Sequence, residues 1–226
     1  MSDKIDVLDH GFVRLVDHMG GDLSIVRAAR VSYDADWREG DEKSDAKLIN
    51  YLMKNHHTSP FEAVTLTFEV KAPIFVFRQW HRHRTWSYNE ISARYTELDE
   101  GYYVPALDQI TTQSTSNKQM RTNEQHPDAQ VIATQIDIAC GVSFGVYKQL
   151  IEKGVPRELA RSVLPVAAYS RMFASVDLHN LFNFLRLRTH EHAQYEIRVY
   201  ADAMLELAKT VAPVACEAFE NLIMVK

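Results

Sequence analysis

Apolar residues recur along the chain with the period of a strand in one segment and of helices in several others. In residues 65–71 every second side chain is apolar, and this alternation predicts a strand. Residues 43–54 show helical spacing and predict a helix. Leu48, Tyr51 and Leu52 fall on one face of that helix, and we expect this face to be buried.

Turn and capping residues set the boundaries of the other elements. Pro73 suits the first position of a helix that runs to about Trp80, although the same residues also allow a strand. Asp22 suits the N-cap of an early helix, and Asp177 opens a later one. The remaining expected elements are a hairpin at 5–15, helices at 131–153 and 156–164, a strand at 169–176, and helices at 192–212 and 213–223.

The order of these elements predicts an α+β fold, with an antiparallel-rich central sheet packed with several helices and a helical C-terminal third. Residues 108–130 are polar and poor in large apolar side chains, so we expect a surface loop there. The length of 226 residues fits a single domain over residues 1–226.

Composition favours a cytoplasmic protein that binds a small anionic ligand. The hydrophobic share of 46% and the charged share of 24% are ordinary for a soluble globular protein. We find neither an apolar run of membrane-spanning length nor a signal segment, so no membrane is expected as a partner. The formal net charge of -5 argues against nucleic acid. Basic residues nevertheless concentrate in residues 78–84, which suits a small anion.

Residues 82–95, which we call the signature segment, carry the most informative chemistry. Arg82 and Arg84 offer guanidinium forks that match phosphate oxygens, and they flank His83, whose protonated form they should disfavour. An amide, a carboxylate, a hydroxyl and a third guanidinium follow, and together these groups suit a phosphorylated, hydrogen-bonding heterocycle. The residues that supply them are Asn89, Glu90, Ser92 and Arg94.

The signature segment resembles that of flavin-dependent thymidylate synthases, in which Arg-His-Arg is followed after seven residues by Ser. Here these positions are Arg82, His83, Arg84 and Ser92. The similarity extends over nearly the whole chain, in blocks at residues 26–33, 57–62, 72–80, 154–165 and 183–188. The polar loop at 108–130 lies outside these blocks.

The resemblance implies that the chain methylates dUMP to dTMP. Methylenetetrahydrofolate would donate the carbon, and reduced FAD, recharged by NADPH, would donate the hydride without an enzyme nucleophile. Arg188 is the implied catalytic residue, which stabilises negative charge at the N3 side of the uracil ring. A homotetramer with sites shared between subunits is also implied.

Particular residues follow from the same resemblance. Those implied in FAD binding are Ser32, His57, Ser59, Glu62, Arg82, His83, Arg84, Asn89, Glu90, Asp177, His179 and Asn183. Those implied in dUMP binding are Gln79, Trp80, His81, Arg82, Glu90, Ile91, Ser92, Ala93, Arg94, Arg161 and Arg188. Asp177 and His179 stand where the family often has Asn and Arg, which leaves their contact with FAD open.

Other chemistries receive less support. The histidines lack the spacing of a helical zinc site and have no cysteine pair beside them, so no metal is expected. Cys140 and Cys216 have no His or Arg neighbour in sequence that would lower a thiol pKa. Ser92 is expected to position the nucleotide rather than attack it. Two rival classes stay open at this point: a non-catalytic nucleotide- or RNA-binding module, and a different flavoenzyme with the same anion cradle.

Overall fold

The computed structural model describes residues 4–32, 41–98 and 101–224, and these form seven strands and eight helices. The strands are β1 (Lys4–Val7), β2 (Gly11–Met19), β3 (Thr65–Pro73), β4 (Ser87–Glu90), β5 (Thr111–Gln113), β6 (Arg121–Gln125) and β7 (Tyr169–Asp177). The helices are α1 (Asp22–Val31), α2 (Glu42–Lys54), α3 (Ile74–Trp80), α4 (Ala129–Glu152), α5 (Arg157–Ala160), α6 (Leu178–Arg188), α7 (Tyr195–Lys209) and α8 (Pro213–Leu222). Tyr33, the last residue of the block at 26–33, lies outside the described residues.

Five strands form one antiparallel sheet in the order β1-β2-β3-β7-β4. The central pair is β3 with β7, which runs over nine residues. The side chains that alternate toward the core from β3 are fully buried, as the sequence predicts: Leu66, Phe68 and Val70. With α6, α7 and α8 making up the C-terminal third, the predicted α+β fold is confirmed.

The opposite face of β3 holds a buried carboxylate. Glu69 is 5% exposed and forms ion pairs with Arg14 of β2 and Arg171 of β7. These residues lie on three adjacent strands, so the cost of burying the Glu69 carboxylate is offset by two guanidinium groups.

Helices α3, α6 and α7 pack together through aromatic side chains. Trp80 of α3 stacks on Phe184 of α6, with ring centroids 4.9 Å apart, and meets Tyr200 of α7 edge-on. The predicted helix at residues 74–80 is confirmed, so the alternative strand is wrong. Pro73 is its N-cap and not its first helical residue.

Asp22 caps a helix other than the predicted one. Gly21 is the N-cap of α1. The two carboxylate oxygens of Asp22 instead accept hydrogen bonds from the backbone N–H groups of Val214 and Ala215, each at 2.9 Å. These amides belong to the first turn of α8 and have no partner within that helix, so Asp22 joins the two ends of the chain.

The prediction of a surface loop at residues 108–130 is wrong. Strands β5 and β6 form a separate antiparallel hairpin there, and the hydroxyls of Thr112 and Thr122 lie 2.6 Å apart across it. Helix α4 begins at Ala129. The hairpin carries no alternating apolar residues, which removes the usual sequence signal of a strand.

Helix α4 exposes one apolar stripe. The exposed residues follow helical spacing and share one face: Val131, Ile138, Val142 and Val146. By length and composition alone α4 could cross a membrane, with 22% of the relevant window buried. Gln135, Asp137 and Ser143 interrupt its apolar residues.

Gly11, at the start of β2, has no room for a side chain. A Cβ there would lie 1.9 Å from the hydroxyl of Tyr200 and 2.8 Å from the carbonyl oxygens of Lys71 and Val7. The Tyr200 hydroxyl in turn donates a 2.8 Å hydrogen bond to the Lys71 carbonyl. The close approach of α7 to the sheet therefore requires glycine at this position.

Gly11→Ala should lower the free energy of unfolding by about 2–3 kcal/mol, because the added methyl group overpacks the contact. Urea denaturation at fixed protein concentration measures this change. Tyr200→Phe on its own should lower the free energy of unfolding by about 1 kcal/mol, because it loses a hydrogen bond. In the Gly11→Ala background the same change should lower it less, because it also removes the nearest clashing atom. Equal costs of Tyr200→Phe in both backgrounds would contradict this packing.

Candidate active site

The signature segment folds as a turn, an edge strand and a second turn. The first turn follows α3, and β4 then pairs with β7. The second turn closes where the backbone N–H groups of Tyr95 and Thr96 donate to the carbonyl of Ser92, at 2.9 and 3.2 Å. The turns therefore place implied ligand-binding residues on both sides of β4.

A cavity of about 630 Å³ lies beside the end of β4, and we call it the signature cavity. Arg78 of α3 and Ser170 of β7 contribute to its wall. Five residues implied in dUMP binding also line it: Glu90, Ile91, Ser92, Ala93 and Arg161. Its wall thus combines guanidinium, carboxylate and hydroxyl groups, as a phosphorylated heterocycle requires.

Glu90 is fixed through one of its carboxylate oxygens. The hydroxyl of Ser170, a buried residue, donates a 2.6 Å hydrogen bond to Glu90 Oε1. In the part of the chain that the structure describes, Glu90 Oε2 makes no such bond. One oxygen is therefore anchored while the other can accept a hydrogen bond from a ligand.

Arg161, in the wall of the signature cavity, and Arg94, beside Glu158, are both weakly held. Arg94 Nε lies 3.8 Å from Glu158 Oε2, and Arg161 Nε donates to the Glu158 backbone carbonyl at 3.4 Å. All three side chains are exposed, and exposed contacts of this kind contribute little stability. An anionic ligand can therefore recruit both guanidinium groups at small cost.

Arg188 is held in place at the end of α6 by two neutral acceptors. Its Nε donates a 3.0 Å hydrogen bond to His83 Nε2, and its Nη2 donates at 3.3 Å to the carbonyl of Gln79. Among the described residues Arg188 has no carboxylate within ion-pair distance. Its positive charge is therefore fixed in position without being neutralised.

His83 is a neutral imidazole at physiological pH. Burial, followed by the charge of Arg188, lowers the pKa of His83 from 6.5 to about 4. The edge of its ring packs on Phe184, with ring centroids 4.9 Å apart. We expected Arg82 and Arg84 to cause this shift, but burial and Arg188 are its causes. The neutral ring can accept the Arg188 hydrogen bond throughout the pH range above about 4.

The three residues before the Arg-His-Arg triplet have different environments. Gln79 is half-buried and its amide Nε2 donates to Gln194 Oε1. Trp80 is fully buried, so only its backbone could contact a ligand. His81 is half-buried, stacked on Phe77 and edge-on to Tyr88.

A second cavity, of about 410 Å³, lies between α1, α2 and the 3-10 turn at Ser59–Ala63, and we call it the α2 cavity. Three residues implied in FAD binding line it: Ser32, His57 and Ser59. Tyr51 also lines it, with its ring edge-on to His57 at a centroid distance of 5.8 Å. The sequence placed Tyr51 on a buried face, but it is 56% exposed, and Ile49 and Met53 are buried with Leu52 instead.

The end of α2 explains how His57 reaches the α2 cavity. His56 adopts a left-handed conformation with φ of 55°. The N–H of His57 donates to the carbonyl of Leu52, and the N–H of His56 to that of Met53, which is the Schellman pattern of a helix C-terminus. The reversal of the chain turns His57 back toward the last turn of α2.

Helix α6 carries three further residues implied in FAD binding. Asp177 is its N-cap, since one carboxylate oxygen accepts from the N–H of Asn180 and the other from its side-chain amide. This capping role accounts for Asp177 without a ligand. Asn183 Nδ2 and His179 Nε2 lie 3.2 Å apart on successive turns.

The remaining implied residues are exposed: Glu62, Arg82, Arg84 and Asn89. Within the described ranges, Arg82 and Arg84 form no ion pair. Many of the implied residues thus gather in three groups within one copy of the chain: the signature cavity, the Arg188–His83 pair and the α2 cavity. The others, among them Asp177, His179 and Asn183 on α6, lie outside these groups. The two cavities share no lining residue. The signature cavity and the Arg188–His83 pair are linked through α3, because Arg78 lines the cavity and the next residue, Gln79, contacts Arg188.

Comparison with known proteins agrees with this arrangement. A family model described as thymidylate synthase complementing protein matches residues 14–214. Flavin-dependent thymidylate synthases of Treponema denticola and Thermus thermophilus are 51% and 50% identical to the chain, covering 98% and 96% of it and 83% and 78% of those relatives. A crystal structure of the UMP/dUMP methylase PolB from Streptomyces cacaoi, bound with 5-Br dUMP, matches with a TM-score of 0.88 and 38% identity, over 98% of this chain and 99% of that one.

The family model's match over residues 14–214 includes the signature segment, the lining of both cavities and the Arg188–His83 pair. On these grounds the chain belongs to the family of flavin-dependent thymidylate synthases.

Proposed function

We propose that the chain, acting as a single domain over residues 1–226, methylates dUMP to dTMP. When bound, FAD recharged by NADPH supplies the hydride, and methylenetetrahydrofolate supplies the carbon. Family membership supports this reaction. The observation that carries it is Arg188, a half-buried guanidinium with neutral partners, because such a fixed charge stabilises negative charge developing on a ring.

The chain's own residues fit a flavin. The α2 cavity is lined by the aromatic ring of Tyr51, the imidazole of His57 and the hydroxyls of Ser32 and Ser59. Such groups can hold a flat heterocycle. Arg82 and Arg84 are exposed cations suited to a pyrophosphate. Asn89, Glu90 and Asn183 supply further polar groups. These residues would hold FAD, with Glu62 and His179 nearby.

The nucleotide fits the signature cavity together with the Arg188–His83 pair. Arg94, Arg161 and the Ser92 hydroxyl suit its phosphate, because all three can present donors to an anion. Gln79 and Arg188 would face the ring. Among the other implied residues, Trp80 can contribute only through its backbone.

No enzyme nucleophile takes part in the proposed reaction. Both cysteines are buried and free, and burial raises the pKa of Cys216 to about 12 and raises that of Cys140. Neither thiol is therefore ionised at neutral pH. The Ser92 hydroxyl accepts a 3.3 Å hydrogen bond from the Arg94 N–H, which fixes it without a base to remove its proton.

We also propose that the active unit is a homotetramer whose sites draw residues from more than one copy. The separation of the implied residues into three groups supports this assembly. The apolar stripe on α4 offers a surface that another copy can cover. Free buried cysteines suit a reducing compartment, and we therefore propose the cytoplasm as the location.

Purified protein supplied with FAD, NADPH, methylenetetrahydrofolate and dUMP should form dTMP, measured by chromatography. In this assay Arg188→Ala should lower kcat by about 100- to 1000-fold, because it removes about 3–4 kcal/mol of transition-state stabilisation. The matched control is Arg186→Ala, which removes an exposed guanidinium from the same last turn of α6 and should leave kcat nearly unchanged. Absence of dTMP from the unsubstituted protein would refute the function, and full activity of Arg188→Ala would refute its role.

Ser92→Ala should keep measurable synthase activity with a higher KM for dUMP. The loss should be about 0.5–1.5 kcal/mol, which is that of one hydrogen bond to a ligand. Mass spectrometry of enzyme quenched during turnover should find no nucleotide attached to the protein. A covalent adduct on Ser92, together with complete loss of activity in Ser92→Ala, would contradict the mechanism.

A further inference from the structure

Glu196, in the first turn of α7, is a buried carboxylate outside the three groups described above. It is 3% exposed. Three donors surround it: Gln194 Nε2 at 2.7 Å, Arg121 Nη2 at 2.8 Å and the Tyr103 hydroxyl at 3.2 Å. Burial of a carboxylate is unfavourable without such partners, so these contacts hold Glu196 in one position.

The contact with Gln194 fixes the direction of a hydrogen-bonded chain. An ionised carboxylate can only accept, so Gln194 must turn its NH₂ group toward Glu196. Its carbonyl oxygen then faces Gln79 and accepts from Gln79 Nε2 at 2.5 Å. Gln79 must therefore present its own NH₂ group to Gln194, and its Oε1 remains the free acceptor of that amide.

The same chain reaches the Arg188–His83 pair. The backbone carbonyl of Gln79 accepts the hydrogen bond from Arg188 Nη2. Gln79 is thus held through its side chain by Gln194 and through its backbone by Arg188. At the far end, Arg121 belongs to β6, so the hairpin that the sequence presented as a loop is tied to the site through Glu196.

We propose that Glu196 is a positioning residue, which acts through Gln194 to hold the Gln79 amide with its Oε1 toward an N–H or O–H donor of the bound nucleotide. Arg121 of the β5–β6 hairpin forms an ion pair with Glu196 and so compensates its buried charge. This inference rests on the proposed function, because it assigns the nucleotide as the ligand of Gln79.

Glu196→Gln tests the direction of the chain. A glutamine at 196 can donate as well as accept, so both neighbouring amides can reverse. The KM for dUMP should rise about 3- to 10-fold, as expected for one hydrogen bond, while kcat should fall less than about twofold, because ground-state and transition-state binding weaken together. Steady-state kinetics of dTMP formation give both values.

Gln194→Met tests the same link while leaving the Glu196 carboxylate and its ion pair with Arg121 in place. Gln194 is exposed, and as the N-cap of α7 it makes no side-chain capping bond, so the variant should fold even if Glu196→Gln does not. It should raise the KM for dUMP by a similar factor. The double variant should show no larger rise than either single variant, because both interrupt one chain.

Glu69→Gln is the matched control. Glu69 is likewise a buried carboxylate, held by two arginines, and among the described residues it forms no hydrogen bond with Gln79. This substitution should lower the melting temperature while keeping the KM for dUMP within about twofold. The positioning role of Glu196 would be overturned if Glu69→Gln raised the KM for dUMP as much as Glu196→Gln does, or if Gln194→Met left that KM unchanged. In either case continued dTMP formation would still support the proposed function. Absence of dTMP from the unsubstituted protein would refute both.

Discussion

Strands β3 and β7 pair over nine residues, from Thr65 opposite Asp177 to Pro73 opposite Tyr169. Each strand leads directly into a helix that carries site residues, α3 after Pro73 and α6 after Asp177. Because the strands are antiparallel, these helices start at opposite ends of the sheet. Helix α6 then runs back for eleven residues, about 16 Å, and brings Arg188 to the end of α3. The site depends on this pairing more than on any single loop.

The aromatic contact between those two helices controls the electrostatics of the site. Trp80 stacks on Phe184, and Phe184 also covers the edge of His83. Burial, followed by the charge of Arg188, lowers the pKa of His83 to about 4, which leaves a neutral acceptor for Arg188. A charged histidine could not accept that hydrogen bond, and a carboxylate in its place would neutralise the guanidinium. Packing in the core therefore sets the charge offered to a ligand.

Local signals predicted the fold well, and long-range contacts account for what they missed. Three correct predictions depend only on residues close together in the sequence: the alternation in β3, the helix at 74–80 and the cap at Asp177. Asp22 was misassigned because its partners lie about 190 residues away on α8. The polar β5–β6 hairpin lacks an apolar period, and the burial of Glu196 depends on donors from two distant segments, at Tyr103 and Arg121. The implied site residues could be named from sequence motifs, but their division into three groups required the folded chain.

The proposed assembly requires that a complete site draw groups from more than one copy of the chain. Arg161→Ala removes a guanidinium from the signature cavity, and Arg188→Ala removes one from the pair with His83. When the two variants, each expected to have lowered activity, are mixed, dissociated and reassembled, some sites should regain both arginines, and dTMP formation should recover to a level well above that of either variant alone. Activity that never exceeds the sum of the two variants would show that each site lies within one copy, and would contradict the account.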